Sequence, residues 1–462
     1  MAAPDNRTEG RGAGPRALFA WCFFDWANSA FPTVITTFVF AAYFTKAVAV
    51  DEVTGTAQWG YAMSLSALAI AIAGPLLGAI ADHGGRRKPW IAGFTALCVV
   101  LTAGLWFVRP DPAFVLVGLV LAAAANFAFE MSGVFYNAML PDLVRRDRLG
   151  RLSGWAWGLG YAGGLACLVA GLLLFVQPEP PLFGLDAGAA EHVRITALLV
   201  AVWFALFSLP LFLWTPDSPA TGLRAAEAAR RGLGTLVSTL KRIRDYGQIA
   251  RFLVARMIYT DGLNTLFAFG GIYAAGTFGL GFTEIMIFGI GLNVTAGLGA
   301  AAFAWLDDAI GSKRTILIAV AGLAGFGAVL VAVESLTLFW AFGLGLGIFV
   351  GPAQAASRSF MARLAPAHLR AEMFGLYAFS GKATAFLGPA LLGFVTAATG
   401  SQRWGMATIL VFFVIGGLLL LVVREPERET FPGDPRDEGR KTLAGRDAAH
   451  PEPAGGGGGR GR

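Results

Sequence analysis

One short basic loop occurs twice in this chain. Residues 78–88 read GAIADHGGRRK and residues 308–314 read DAIGSKR, so the pattern Asp-x-x-Gly-x-(Lys/Arg)-(Lys/Arg) returns 226 residues later in a chain of 462. The first copy supplies Gly78, Asp82, Gly85, Arg86, Arg87 and Lys88. The second supplies Asp308, Gly311, Lys313 and Arg314, with alanine at the place of the leading glycine. Each loop joins two hydrophobic segments at the same ordinal place in its half. An internal repeat constrains architecture before any local reading does, and this one predicts two copies of one unit.

The unit is a membrane unit. Hydrophobic residues make up 56% of the chain and charged ones 14%, against about 25% charged in soluble domains. The apolar residues fall in segments of about the 20 residues needed to cross a bilayer, near 18–45, 59–81, 90–108, 114–140, 153–176 and 194–214, then 250–277, 284–306, 315–333, 337–361, 372–398 and 404–423. The expected fold is an all-α integral membrane protein with 12 transmembrane helices in two six-helix pseudo-repeats, 18–214 and 250–423. The polar stretch 215–249 links them, and an amphipathic helix on the inner membrane surface fits its pattern. Residues 1–17 and 424–462 are expected to be disordered tails. The first hydrophobic segment is too long for a signal-peptide core and is kept as a helix.

Charge placement orients the bundle. With both termini inside, 29 of the 36 Lys and Arg fall on inner segments, Lys46, Arg109, Arg194 and Arg403 on outer loops, and three within helices. The net charge of +6 reflects this bias rather than a nucleic-acid-binding face. A bacterial inner membrane with cytoplasmic termini is the expected location.

Six ionisable residues sit inside predicted helices: Asp25, Glu130, Asp261, Arg256, Arg358 and Lys382. Each costs roughly 2.5–3.5 kcal/mol at the centre of a membrane helix on insertion scales, so such groups face the bundle interior or a watery cavity and pair there. Asp25 with Asn28, and Asp261 with Asn264, share helix faces three residues apart; Gln354 and Arg358 share one four apart. Asp25, Asn28, Glu130, Asp261, Asn264 and Lys382 are the expected substrate- or proton-binding residues. Arg256, Arg358 and Gln354 are expected as gate or structural groups, since the two arginines lie shallower, where snorkelling competes with ligand contact. Asn126 and Asn137 continue the stripe around Glu130 as interhelical glue. Carboxylates and cations together suit a zwitterion, with Lys382 meeting a substrate carboxylate and Glu130 or Asp25 carrying a proton if transport is proton-coupled. Gly343, Gly347 and Gly351, and Gly160 with Gly164, are spaced for close helix packing; Gly381 and Gly388-Pro389 favour a bend beside Lys382.

Two six-helix halves in parallel repeat, with that basic loop in each, resemble the major facilitator superfamily. The resemblance implies a cavity between halves near the midplane, a monomer, and a latch in which Asp82 meets the N-terminus of the eleventh helix. The strings FFDWANSAFPTVITTFVFAAYF, GYAGG at 160–164, QAASRSFMARLAP and EMFGLYAFSGKATAFLGP are similar to the vacuole effluxer branch, which includes autophagy-related amino-acid exporters. It implies a secondary transporter of a small polar or zwitterionic, amino-acid-like solute. Another solute (sugar, organic acid or drug-like), or a non-transporting receptor or scaffold, stays open. An enzyme is not expected: His83, His192, His368 and His450 are scattered, and no nucleophile or phosphate-cradling motif occurs. Three separated cysteines, Cys22, Cys98 and Cys167, give no metal or disulfide framework, and no cofactor is expected.

Overall fold

The structure, a computed structural model, describes residues 12–425 apart from 179, 242 and 243. The remaining residues of the two expected tails, 1–11 and 426–462, lie outside the described residues. Among the described residues there is no strand. The helices are α1 (Pro15–Val48), α2 (Glu52–Gly84), α3 (Lys88–Phe107), α4 (Pro112–Leu143), α5 (Arg146–Val176), α6 (Glu191–Trp214), α7 (Ala225–Lys241), α8 (Gly247–Phe278), α9 (Phe282–Ile310), α10 (Ser312–Ala332), α11 (Leu336–Leu364), α12 (Arg370–Ser380), α13 (Leu387–Thr399) and α14 (Gln402–Leu421). Ten of them, α1–α6, α9, α10, α11 and α14, are long and apolar enough to cross a membrane.

The other two predicted spans depart from that criterion for physical reasons. The 32 residues of α8 reach about 48 Å at 1.5 Å each, but they carry Arg251, Arg256 and Asp261. The span predicted at 372–398 is divided into α12 and α13 by a turn at 381–386. Pro389 lacks an N–H and its ring crowds the carbonyl four residues back, which ends a continuous helix there. Helix α1 also departs from regularity: residues Phe31–Phe38 widen into a π-helix that has Pro32 in its first turn, as a missing donor allows. It starts at Pro15, inside the segment expected as tail, with the Ala13 N–H bonded to Leu143 O at 2.8 Å.

Outward faces are apolar. Leu65, Leu68 and Ile72 on α2, Val202, Leu206, Leu209 and Leu213 on α6, and Val411, Val414, Ile415 and Leu418 on α14 are exposed at helical spacing, the belt that lipid covers. In the central link, α7 rests on α2: Gly232 meets the backbone of Ala79 and Ile80, and His83 Nε2 lies 2.8 Å from Thr235 Oγ1.

Two glycine seams join the first sequence half to the second. Gly74 and Gly78 on α2 meet the backbone of Gly375 and Ala371 on α12; Gly150, Gly154 and Gly158 on α5 meet Asp307, Ala304 with Ala300, and Gly297 on α9. The glycines singled out from sequence pack within halves instead, Gly160 and Gly164 on α1, and Gly343, Gly347 and Gly351 on α9. A Cβ at Gly154 would sit 2.6 Å from the Ala300 carbonyl. Gly154→Val should therefore cost about 1–3 kcal/mol by overpacking, read as a lowered melting temperature of the purified protein, while Gly93→Ala, inside α3 with open space around it, should not lower it and should raise it slightly.

Candidate substrate cavity and its seal

Both copies of the basic loop perform the same contact. Asp82 accepts from the backbone N–H of Ala371 and of Glu372, each at 2.9 Å, at the start of α12. Asp308 accepts from the N–H of Gly150 at 2.8 Å and of Arg151 at 3.1 Å, where the α-helical part of α5 begins at Leu149 after a 3-10 turn. Each carboxylate thus satisfies donors that a helix leaves free at its N-terminus, where the dipole favours negative charge. One lysine of each loop binds a helix C-terminal carbonyl, Lys88 Nζ to Phe212 O at 3.0 Å and Lys313 Nζ to Leu421 O at 2.8 Å. Gly85 and Gly311 hold φ of +82° and +98°, a region that glycine enters without a Cβ penalty. Arg86 and Arg314 are exposed.

Ion pairs reinforce each latch. Asp142, ending α4, pairs with Arg87 and with Arg370; Arg363, ending α11, pairs with Asp307 at 2.7 Å and Asp308 at 3.2 Å. Burial lowers Arg87 from its ordinary value, and burial together with the Arg87 charge brings Arg370 down to about 10. Both remain cationic at neutral pH.

One layer further in lies Arg358, 3% exposed. Its Nη1 donates to Asp25 Oδ2 at 2.8 Å and Asn137 Oδ1 at 3.3 Å, its Nε to Ser153 Oγ at 2.9 Å and its Nη2 to Ser153 O at 2.7 Å. Trp21, Trp157 and Tyr136 present ring faces 5.2, 5.6 and 5.8 Å from the guanidinium. A residue of α11 therefore binds α1, α4 and α5 at once.

Beyond this layer the bundle opens into a cavity of about 540 Å³. Trp157 and Gln354, which line it, stand one turn past Ser153 and Arg358 on the same helices. The wall is mostly apolar, with Thr33, Thr37, Asn264 and Asn293 among its polar groups. At its floor Glu130 Oε1 on α4 meets Lys382 Nζ, from the turn between α12 and α13, at 2.7 Å. The Trp157 indole N–H is buried without a partner.

Several residues singled out from sequence stand elsewhere than the cavity wall. Glu130, Asn264 and Gln354 line it, and Lys382 reaches it through Glu130. Asp25 and Asn28 belong to the sealed layer, the Asn28 amide 3.5 Å from Asp25 Oδ1, and Asp261 is buried between α8 and α13. Glu130 and Asp25 are each matched by a cation at hydrogen-bond distance. Arg256 donates to Tyr377 O at 2.6 Å and Ser380 Oγ at 2.7 Å, closing the free end of α12. Asn126 ties α4 to α2 through Ser66 Oγ at 3.0 Å. Sequence reasoning missed Ser153, Trp157 and Asn293, ordinary residues whose position alone gives them a part.

A membrane bundle with a cavity walled by both sequence halves and one end sealed by paired loop contacts is a transporter of the major facilitator type. The chain belongs to the family described as Vacuole effluxer Atg22 like, which it matches over residues 47–429. It is 28% identical to an uncharacterised MFS-type transporter of Bacillus subtilis, YxiO, over 88% of this chain and 94% of that one. It is 23% identical to autophagy-related protein 22 of Coccidioides immitis over 80% and 73%. Among solved structures, the proton:xylose symporter XylE superposes with a TM-score of 0.68 at 13% identity, covering 89% of this chain and 96% of that one. The transporter FucP, in an outward conformation, gives 0.66 at 15%, covering 89% and 99%.

Asp82→Asn is expected to cost about 1 kcal/mol of closure, roughly a fivefold shift towards the unsealed state, and Asp308→Asn more, because Asp308 also pairs with Arg151 at 2.8 Å and Arg363 at 3.2 Å. Cys22, buried in the sealed layer beside Leu152 O, reports it: with Cys98 and Cys167 replaced, maleimide should label Cys22 faster in both variants. Unchanged labelling in Asp308→Asn would show that the second loop is idle.

Proposed function

We propose that this protein is a secondary active transporter of a small zwitterionic, amino-acid-like solute, working by alternating access as residues 18–214 rock against residues 250–423. The observation that carries the reading is the Glu130–Lys382 pair at the cavity floor, one partner from each half. A zwitterion brings an ammonium for Glu130 and a carboxylate for Lys382, so it replaces one ion pair by two without stranding a charge. A neutral sugar cannot. The free Trp157 N–H and the amides of Asn264 and Gln354 add polar anchors, and the apolar wall suits an aliphatic or aromatic side chain. About 540 Å³ lies within the range of small-molecule sites.

Substrate then acts on the conformational balance. While empty, the cavity floor is bridged between halves by Glu130 and Lys382. A solute wedged between them extends that bridge and draws the distal ends of the halves inward, while the latch layer below is released. With the basic loops facing the cytoplasm, as the positive-inside bias favours, the sealed side is cytoplasmic and the cavity faces outward. Export fits the word effluxer in the family's description.

Ligand-induced thermal stabilisation tests the substrate class, since binding raises apparent stability by mass action. Purified protein screened against amino acids, dipeptides, sugars and organic acids should respond to zwitterions. Lys382→Ala should weaken amino-acid binding by the worth of a charged hydrogen bond, about 1.5–3 kcal/mol, and leave the matching amine, which lacks the carboxylate, nearly unaffected. Glu130→Gln should show the opposite preference. Equal losses for both ligands, or stabilisation by sugars alone, would reject the zwitterion.

A further inference from the structure

Helix α8 carries a carboxylate that neither the seal nor the cavity uses. Asp261 is 1% exposed and its Oδ2 has no hydrogen-bond partner. Opposite it, in the turn between α12 and α13, stands Thr384, whose Oγ1 is likewise buried and unpartnered. The two side chains face each other without reaching hydrogen-bond geometry.

Every charged group around them is committed elsewhere. On α8 itself Arg256 holds Tyr377 O and Ser380 Oγ, and Tyr259 is bonded to Ser357 of α11 at 2.7 Å. Arg358 of α11 is paired with Asp25, and Lys382 of the turn with Glu130. Helix α14 contributes Phe412 and Phe413, which pack on Gly262; its one cation, Arg403, binds the carbonyls of Val331 and Val333. The acids of α9 lie at its two ends, Glu284 in the first turn and Asp307 and Asp308 at the latch.

An ionised carboxylate at this place would have no counter-charge, and its buried Oδ2 no donor, a state costing several kcal/mol. Two carboxylate oxygens and the Thr384 hydroxyl are too few to replace the shell of a hard metal cation, which takes six or more. One oxygen suffices for a proton. We propose that Asp261 is the coupling site of the transporter, carrying a proton in this sealed state and exchanging it as the α12–α13 turn moves. The proposal rests on the transporter reading above and names the ion and residue that drive it.

The geometry supplies the link to substrate. Residues 381–386 hold Lys382 towards Glu130 and Thr384 towards Asp261. They are tied to α8 by Asn264, which donates to Gly381 O at 3.4 Å. Loss of the proton leaves a charge that needs a donor, and Thr384 is the nearest hydroxyl. Drawing Thr384 in displaces Lys382, two residues earlier in the same turn, and with it the partner of the substrate carboxylate. The coupling runs both ways: substrate that repositions Lys382 alters proton affinity at Asp261 by the same factor.

Infrared difference spectroscopy of the purified full chain, wild type minus Asp261→Asn near neutral pH, tests the proton directly. The expected result is a protonated-carboxyl stretch present in wild type and missing from the variant. Loss of an ionised-carboxylate band instead overturns the proposal. Asp261→Glu should restore the band, which separates a lost proton from a misfolded protein. In proteoliposomes probed with a mixture of radiolabelled amino acids, wild-type accumulation should follow an imposed pH gradient. In Asp261→Asn it should fall to the level without a gradient, and any remaining exchange should lose its pH dependence. Accumulation by that variant that still follows pH, or wild-type accumulation driven by sodium and lost in it, overturns the assignment. If wild type moves no amino acid, the zwitterion reading fails by itself, while the infrared result still decides whether Asp261 holds a proton.

Discussion

A guanidinium buried in a membrane bundle must be satisfied on every side, and meeting that demand organises this molecule. Arg358 comes from α11, yet Asp25, Asn137 and Ser153 all come from the first sequence half. Removing one partner from such a pair costs about 3–5 kcal/mol, because the other charge is left stranded. The rings of Trp21, Tyr136 and Trp157 keep the layer dry and so strengthen its electrostatics. The cavity has a floor because this layer is closed. The loop latches below it hold helix ends, whereas Arg358 holds the middle of the helices together.

The sequence announced the membrane fold and the repeat, since hydrophobic segments and a loop motif are local patterns. Three acids and three bases also lead to the expectation that intramembrane charges pair; two pairs form, while Arg256 binds Tyr377 O and Ser380 Oγ and Asp261 meets no cation. The sequence did not say which acid meets which base. That depends on how each helix is turned about its axis, and every residue changes the facing by about 100°. Asp25 therefore found Arg358 rather than a place in the cavity, and Glu130 found Lys382. The contact of Asp308 with the start of the α-helical part of α5 was not legible either, because its partners are backbone N–H groups far away in the chain. Gly150, Gly154 and Gly158 carry the same four-residue spacing that was noticed in Gly343, Gly347 and Gly351. Spacing alone does not say which neighbouring helix such a face meets, and here it is α9 of the other half.

The two halves differ most where the chemistry is. Their latches match, carboxylate to helix N-terminus in each, but the supporting charges are reversed: Asp142 gathers arginines in one half, and Arg363 gathers aspartates in the other. Above the latches the symmetry ends. The turn at 381–386 interrupts only the second half's helix, and it carries Lys382. A duplicated scaffold thus carries a broken helix in its second half, set between the cavity wall at Glu130 and the buried Asp261.

The glycine seams between α2 and α12 and between α5 and α9 carry a mechanical consequence. Interlocked side chains act as gear teeth, and sliding such surfaces requires many rotamers to change together. Backbone resting on backbone has no teeth. If the halves move against each other as proposed, these seams oppose the motion with little steric interlock, and the hold on the sealed state rests on the polar contacts of Arg358 and the loop carboxylates.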